Sequence, residues 1–396
     1  MSNRLPPSAL RRALLAAPAA LLWPHASAEP GHRPGDALQP RPLVFPRDHG
    51  SHNSTRTEWW YLTGRALTPQ GRELGFQLTF FRSRVDPALP LRSRLAARHL
   101  LFAHAAITDV ASGRLLHDER IARWNGEPPG DGPASTAFAS ELDTQVVLGD
   151  WFIRREPDGR YRSRLPGREL SIDIEAVPRQ AWLLQGDAGF SRKGPDPSQA
   201  SFYVTQPQLA VQGRLTLQGQ TMPVQGTAWL DHEWSEAILH PEAVGWDWIG
   251  MNLDNGDSLT AFQLRRADGS ALWTGGSVRR AAEGGNPLGS RNARPGEVRF
   301  EPRRFWTSPL TRARYPVEWT VQSPAGRHTV MALADAQELD RLFGKLSRFA
   351  DALVSALPKE DGGKAEPDDK LMRNLGRLVE RLQDAAALWQ RWVRQD

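Results

Sequence analysis

Cysteine is absent from this chain of 396 residues. Neither a disulfide framework nor a thiolate metal site can form, so burial of a core must stabilise the protein. Long apolar runs are also missing beyond the N-terminal segment, and none approaches the length of a membrane-spanning helix. A Gly-x-Ser-x-Gly nucleophile elbow is absent too, which argues against the commonest serine hydrolase arrangement.

The N-terminal segment has the three-part layout of a secretory signal. A positive start that includes Arg11 and Arg12 precedes an apolar run over residues 13–23, and Ala26-Ser27-Ala28 fits a small-residue cleavage site. We expect residues 1–28 to be removed and the mature protein to be periplasmic or secreted. The Sec route is the ordinary one, and the paired arginines also permit the twin-arginine route.

The charge of the chain is modest once this leader is set aside. Three arginines of the leader contribute to the formal net charge of +5. A basic excess remains over residues 279–314, which could face an anionic membrane or ligand or form a solvated arginine-rich loop. The overall balance does not indicate a nucleic-acid partner.

Strands dominate the predicted secondary structure. Residues 29–42, rich in proline, glycine and charge, are typical of a linker. Over residues 57–265, short apolar or alternating segments are separated by glycine, aspartate and proline, and Gly75-Phe76-Gln77-Leu78-Thr79-Phe80 alternates most clearly. Many short strands without a long helical pattern predict an all-β barrel or sandwich. After removal of the leader the chain is long enough for two domains.

Residues 335–396 follow a different pattern. Their apolar residues recur at steps of three and four, first over Leu339, Leu342, Leu346, Phe349, Leu353 and Leu357, then over Leu371, Leu375, Leu378, Leu382, Ala385, Trp389 and Trp392. This spacing predicts two helices that form a C-terminal helical hairpin. The apolar seam could pack on the β domains or pair with a second copy to form a homodimer.

One dense constellation carries chemistry-bearing side chains. It reads Trp229-Leu230-Asp231-His232-Glu233-Trp234-Ser235, followed by Gly245-Trp246-Asp247-Trp248. On strands, alternate residues share a face, so His232 and Trp234 should point away from Asp231 and Glu233. An imidazole beside aromatic faces suits protonation of an alkene. The alternative is that the tryptophans are core and His232 is a hydrogen-bonded barrel residue.

A second dense segment precedes the first predicted strand. Here Glu58 and Trp60 share one face and Tyr61 takes the other, as packing of a first strand would also require. His49, His52 and Glu58 could be drawn as a zinc site, but their spacing matches no established one, so we expect no metal. His104 lies in an apolar strand, where a satisfied core histidine is the simpler interpretation. Downstream, the segment around Ser191 is either a plain loop or one in which Arg192 and Lys193 contact an anionic ligand.

Several of these segments resemble the carotenoid 1,2-hydratase (hydroxyneurosporene synthase) and AttH-like family of secreted, lipocalin-like proteins. The resemblance rests on Phe45-Pro46-Arg47-Asp48-His49-Gly50, Thr57-Glu58-Trp59-Trp60-Tyr61, Gly75-Phe76-Gln77-Leu78-Thr79-Phe80-Phe81-Arg82, Gln185-Gly186-Asp187 with Ser191-Arg192-Lys193-Gly194, and the tryptophan-rich constellation. It implies two consecutive lipocalin-like (calycin) β-barrels, over residues 43–220 and 221–334. It also implies export and association with an ABC-type exporter system.

The resemblance implies hydration of an isoprenoid double bond without a cofactor, and His232 with Trp234 matches the His-x-Trp pair of the hydratases. Their Tyr-x-Asp pair has no counterpart, since the comparable stretch reads Ser258-Leu259-Thr260-Ala261-Phe262. The chain also departs after Gln337-Glu338-Leu339-Asp340, where relatives continue into further strands.

The candidate residues and the resemblance lead to two hypotheses for the function. The first is a hydratase, lyase or hydrolase acting on an apolar, isoprenoid or polyketide-like molecule, with His232 as proton donor or base and Asp231 or Glu233 as its orienting partner. The expected ligand contacts are Trp234, Trp246, Asp247, Trp248, Glu58, Trp60, Tyr61 and His104. The second is a non-catalytic periplasmic carrier of a lipophilic molecule, using the same contacts.

Overall fold

The computed structural model describes residues 35–90, 96–129, 137–236, 240–281 and 287–338. These residues contain twenty strands and two short 3-10 helices, Arg47–His49 and Asp86–Ala88. The all-β prediction is therefore confirmed. Over these ranges the structure contains no helix long and apolar enough to span a bilayer.

Thirteen strands form the main sheet. They are β1 (Thr57–Leu67), β2 (Glu73–Arg84), β3 (His99–Asp109), β4 (Arg114–Trp124), β5 (Ala137–Ala139), β6 (Gln145–Leu148), β7 (Trp151–Arg155), β8 (Tyr161–Leu165), β9 (Leu170–Pro178), β10 (Leu183–Leu184), β11 (Phe190–Arg192), β12 (Ala200–Leu217) and β13 (Gln220–Ser235). The hydrogen-bonded order is β4-β3-β2-β1-β13-β12-β9-β8-β7-β6-β5, and β10 and β11 both pair with β12. The two ends of this path approach each other at β4 and β5, so the sheet is a nearly closed barrel.

Alternation along the strands fills the barrel with apolar side chains. In β2, Phe76, Leu78 and Phe80 point into the interior, as the sequence pattern predicts. Leu62 of β1 and Leu230 of β13 lie opposite each other and are fully buried in the same core. A small barrel packed in this way is held by burial of apolar surface, which replaces the disulfides that the sequence excludes.

Seven further strands form two smaller sheets. The four-stranded sheet contains β14 (Gly245–Asn252), β15 (Ser258–Arg265), β16 (Ala271–Ala281) and β17 (Pro287–Asn292), and the three-stranded sheet contains β18 (Arg299–Thr307), β19 (Arg314–Ser323) and β20 (Gly326–Met331). Phe300 and Val321 pack against Ala261, so the two sheets share an apolar cluster. Because their strands pair in two separate ladders, the predicted second barrel is replaced by two small sheets packed through side chains.

The predicted domain boundary and the predicted linker also differ from what the structure shows. β13 pairs with β1 and β12, so the main sheet continues to Ser235, past residue 220, and the division into two domains stays a prediction. Leu38, within the expected linker, packs against Phe202 and Trp234. The leader over residues 1–28 and residues 339–396 of the expected helical hairpin lie outside the described residues, while residues 335–338 are not helical.

Candidate functional site

A network of charged side chains is buried at one end of the barrel interior. The antiparallel pairing of β1 with β13 sets Glu58 opposite Trp234 and Trp60 opposite His232. These four side chains share the inner face with Leu62, because alternate residues of a strand point the same way. The predicted partnership of His232 with Trp234 on one face is thus seen, and Glu58 and Trp60 join it.

Glu58 is the centre of this network. Its Oε1 accepts hydrogen bonds from His232 Nε2 at 2.9 Å and from His52 Nδ1 at 2.8 Å, and its Oε2 accepts one from Arg82 Nε at 2.9 Å. Burial alone would raise the pKa of Glu58, but the Arg82 guanidinium and the two histidine hydrogen bonds outweigh it and hold the pKa well below 4.5. The carboxylate is therefore ionised in the dry interior.

His52 carries a positive charge in this arrangement. Its Nε2 contacts Asp48 Oδ1 at 3.0 Å while its Nδ1 contacts Glu58. Because ionised carboxylates only accept, both ring nitrogens must donate, and the ring is an imidazolium. Burial would raise the pKa of Asp48, but hydrogen bonds from Arg41 and His52 outweigh it and lower that pKa strongly. The His52 ring also stacks on Trp234, with centroids 3.6 Å apart.

His232 is held in one orientation and one tautomer. Its Nε2 donates to Glu58, its ring stacks on Trp60 with centroids 4.8 Å apart, and burial lowers its pKa. The remaining Nδ1 is buried and has no hydrogen-bond partner among the described residues. His232 is thus neutral, with an unused acceptor atom, and its orienting partner is Glu58.

The network offers ligands for a metal ion, but the charges of its side chains do not favour one. One ligand atom each of His52, Glu58 and His232 lies within 4.8 Å of the others. The same atoms are already joined by hydrogen bonds, and Arg82 and Arg41 balance the two carboxylates. A divalent cation would add uncompensated charge to a dry interior, which is costly. His49 takes no part in this group and packs between Phe45 and Trp182, at 4.4 and 4.5 Å.

Asp231 and Glu233 occupy the opposite, outer face of β13. Asp231 Oδ1 accepts from Thr205 Oγ1 at 2.6 Å and from Trp229 Nε1 at 2.9 Å. Burial is the main cause that raises the pKa of Asp231 to about 7. Glu233 Oε1 accepts from Ser201 Oγ at 2.5 Å and from Lys193 Nζ at 3.0 Å. Because they point away from the barrel interior, neither carboxyl group orients His232.

Two aromatic residues predicted as ligand contacts lie beside Asp231. Tyr61 meets Trp248 edge to face, with centroids 5.8 Å apart, on the outer side of the barrel. Trp248 Nε1 donates to the Tyr203 hydroxyl at 2.9 Å. A second buried cluster, separate from the His232 network, therefore lies between the barrel and the four-stranded sheet.

The other predicted contacts lie outside the His232 network. Trp246 packs against Phe262 and its neighbours in the four-stranded sheet, and Asp247 is bonded to Arg265 and Gln263. Burial raises the pKa of Asp247. His104 bonds Thr79 at 3.1 Å, and burial lowers its pKa to about 4, which fits the interpretation as a core histidine.

A cavity of about 520 Å³ opens where the barrel meets the four-stranded sheet. Its wall combines apolar and polar side chains from β11, β15, β16 and the segment before β1, among them Leu38, Gln185, Phe190, Ser191, Arg192, Phe262, Trp273 and Asn292. Gln185 Nε2 donates at 3.0 Å to Thr205 Oγ1, which in turn donates to Asp231. This chain of hydrogen bonds links the cavity wall to the titrating carboxyl group.

Sequence reasoning missed most of the cavity wall and three members of the barrel network. Gln185, Ser191, Asp48 and Arg82 lay in segments that carried the family resemblance but had no assigned role, and Arg41 lay in the expected linker. Arg192 was predicted only as one of two alternatives, a contact for an anionic ligand. Phe262 and Trp273 carried no such signal, because only tertiary packing brings β15 and β16 to the loop before β11.

Known proteins support the resemblance. A model of the AttH-like family matches residues 36–352. An AttH structure from Nitrosomonas europaea is similar at 42% identity, covering 78% of this chain and 89% of that one with a TM-score of 0.68. Kievitone hydratase from Nectria haematococca shares the fold at 15% identity, covering 78% and 87%, with a TM-score of 0.54. A search of curated sequences gives no match. The chain belongs to the AttH-like family.

Proposed function

We propose that the protein binds an apolar, isoprenoid or polyketide-like molecule in the cavity and acts on it as a cofactor-free hydratase or lyase. The observation that carries this proposal is the aromatic cavity wall joined by hydrogen bonds to Asp231. The fold shared with kievitone hydratase is consistent with this reaction type. Phe190, Phe262 and Trp273 supply the apolar contact area.

Asp231 provides the acid and base of the proposed reaction. A carboxyl group with a pKa near 7 is populated in both protonation states at neutral pH, which suits general acid–base catalysis. When Asp231 is protonated, it donates to Thr205 Oγ1, which also accepts from Gln185 Nε2 of the cavity wall. The hydroxyl proton of Thr205 then passes to a substrate or water that enters from the cavity and displaces the Gln185 amide. Hydration then adds that proton to one alkene carbon and a water oxygen to the other, and the proton lost by the water returns to Asp231.

A carrier function is the second candidate, and the make-up of the cavity wall favours it. Among the described residues that line the cavity, the charged side chains are Asp187 and Arg192, and Asp231 is linked to the wall through Thr205 and Gln185. Such a protein would hold a lipophilic molecule in the periplasm, after export through residues 1–28, and work with an ABC-type exporter.

Mass spectrometry of the protein isolated from its own host separates the two functions. We expect a lipophilic molecule to co-purify, and its incubation with fresh protein to yield a product 18 Da heavier or lighter, the mass of one water. Asp231→Asn should bind this molecule and leave its mass unchanged. A ligand that keeps its mass after prolonged incubation with the wild-type protein identifies a carrier.

The cavity itself is tested by removing one aromatic wall. Trp273→Ala is expected to weaken binding of the apolar fluorophore N-phenyl-1-naphthylamine about tenfold or more, because loss of a buried aromatic contact costs on the order of 2 kcal/mol. Trp306→Ala is the matched control, since Trp306 stacks on Tyr315 in the three-stranded sheet. Fluorescence titration gives both affinities, and equal losses in the two variants would place the ligand elsewhere.

A further inference from the structure

The cavity wall contains one cation in a fixed position. Arg192 Nη2 donates to the carbonyl oxygens of Gly194 at 2.9 Å and Pro195 at 2.7 Å. Its guanidinium carbon lies 5.2 Å from the centroid of the Trp273 ring, and Trp273 Nε1 donates to the Arg192 carbonyl at 2.9 Å. Two carbonyls and an aromatic face therefore hold the guanidinium at the wall, so little side-chain freedom remains to be lost when a ligand binds.

One buried nitrogen of this guanidinium, Arg192 Nε, has no hydrogen-bond partner in the part of the chain that the structure describes. A buried donor without a partner destabilises the folded protein, and more so when it is charged. Because Arg192 lines the cavity, an acidic group bound there would face a guanidinium that is only partly hydrogen-bonded within the described part of the chain.

Asp196 interacts electrostatically with Arg192, but no carboxylate of the described residues forms an ion pair with it. Asp187, also on the cavity wall, is exposed to solvent, and Asp196 is bonded through its Oδ1 to the backbone and hydroxyl of Ser198. The neighbouring cation Lys193 is already paired with Glu233. Arg192 is thus a cation without an ion-pair partner among the described residues, on a wall whose other charged side chain, Asp187, is exposed to solvent.

We propose that the ligand of this cavity is a lipophilic monoanion, whose acidic head group accepts a hydrogen bond from the Arg192 guanidinium. Its apolar body lies against Phe190, Phe262 and Trp273. Charge-assisted hydrogen bonds of this kind are about twice as strong as neutral ones, so the head group fixes the orientation of the molecule. This inference rests on the proposed function and narrows the class of its ligand.

A matched pair of probes tests the charge of the head group. We expect 11-(dansylamino)undecanoic acid to bind the wild-type protein at least tenfold more tightly than its methyl ester at pH 7.5. Arg192→Gln should lower the affinity for the acid to that of the ester and leave the ester unchanged. Arg192→Lys keeps the charge and should retain part of the preference. Arg266→Gln, which removes an arginine paired with Glu242 away from the cavity wall, is the control and should change neither affinity.

The outcomes separate this inference from the proposed function. Equal binding of acid and ester by the wild-type protein, or a preference that survives Arg192→Gln, overturns the anionic head group and leaves an apolar ligand site intact. Failure of both probes to bind the wild-type protein overturns the proposed function and the inference together. Circular dichroism of each variant shows whether its fold is retained.

Discussion

Glu58→Gln is expected to lower the free energy of unfolding by about 3–5 kcal/mol, the usual cost of removing one partner from a buried ion pair. The substitution keeps the shape of the side chain, but Arg82 would remain in the dry interior without its carboxylate. The His52 imidazolium would likewise lose one of its two carboxylate partners, because an amide carries no negative charge. Urea denaturation at pH 7 measures the loss.

A surface carboxylate supplies the matched control. Glu297 pairs with Arg291 at 2.7 Å where both side chains are partly exposed to solvent. Glu297→Gln should leave the free energy of unfolding almost unchanged, because water screens exposed ion pairs. Similar losses in the two variants would mean that the Glu58 network contributes no more than a surface pair.

The same network gives the wild-type protein a defined response to acid. Glu58 and Asp48 have depressed pKa values when folded, so their stabilisation is present above their ordinary values of 4.5 and 3.8 and is lost as the pH falls below them. Between pH 5 and pH 3 the stability of the wild-type protein should fall more steeply than that of Glu58→Gln.

Asp231→Asn is expected to have the opposite effect and to stabilise the fold at alkaline pH. The folded state raises the pKa of Asp231 from 3.8 to about 7, so it holds the proton more tightly than the unfolded chain does. Stability therefore declines as the pH rises through this interval, and a neutral amide avoids the decline. At pH 8 the gain should be about 2–4 kcal/mol, and it should vanish near pH 4.

Asp257→Asn is the control of opposite sign. Asp257 accepts hydrogen bonds from Arg280 and the Ala281 backbone, and these lower its pKa although burial opposes them. This variant should lose stability at pH 8. Melting temperatures of the wild-type protein and both variants at pH 4 and pH 8 check the pattern. A loss of stability in Asp231→Asn at pH 8 would contradict the raised pKa.

The sequence predicted the faces of the strands well, because the alternation of side chains is a local property. His232 with Trp234 on one side and Asp231 with Glu233 on the other follow from the strand alone. The contact between Glu58 and His232, which are 174 residues apart, depends on the register of β1 against β13. That register is set by tertiary packing, so a single sequence could not reveal which carboxylate orients the histidine.

The two small sheets and the cavity were harder to predict for a related reason. The strand pattern after residue 245 is similar to that of the barrel strands. The local sequence does not indicate that β17 and β18 belong to two different sheets instead of pairing with each other. The cavity wall collects residues from five separate stretches of chain. The family motifs include only one of these stretches. The aromatic residues of β15 and β16 do not indicate a cavity, because aromatic residues are common in strands.

The alternation of charged groups along β13 also favours the correct register of β13 against β1. A slip of one residue against β1 would exchange the faces of β13 and bring Asp231 and Glu233 inside, towards the carboxylate of Glu58. His232 would move out among Tyr203 and Lys193. Acidic groups that cannot all ionise together in a dry core would make this misaligned barrel unstable. The charged residues of the site therefore also favour the native strand register during folding, because only one alignment of the two strands places each charged group beside its partner.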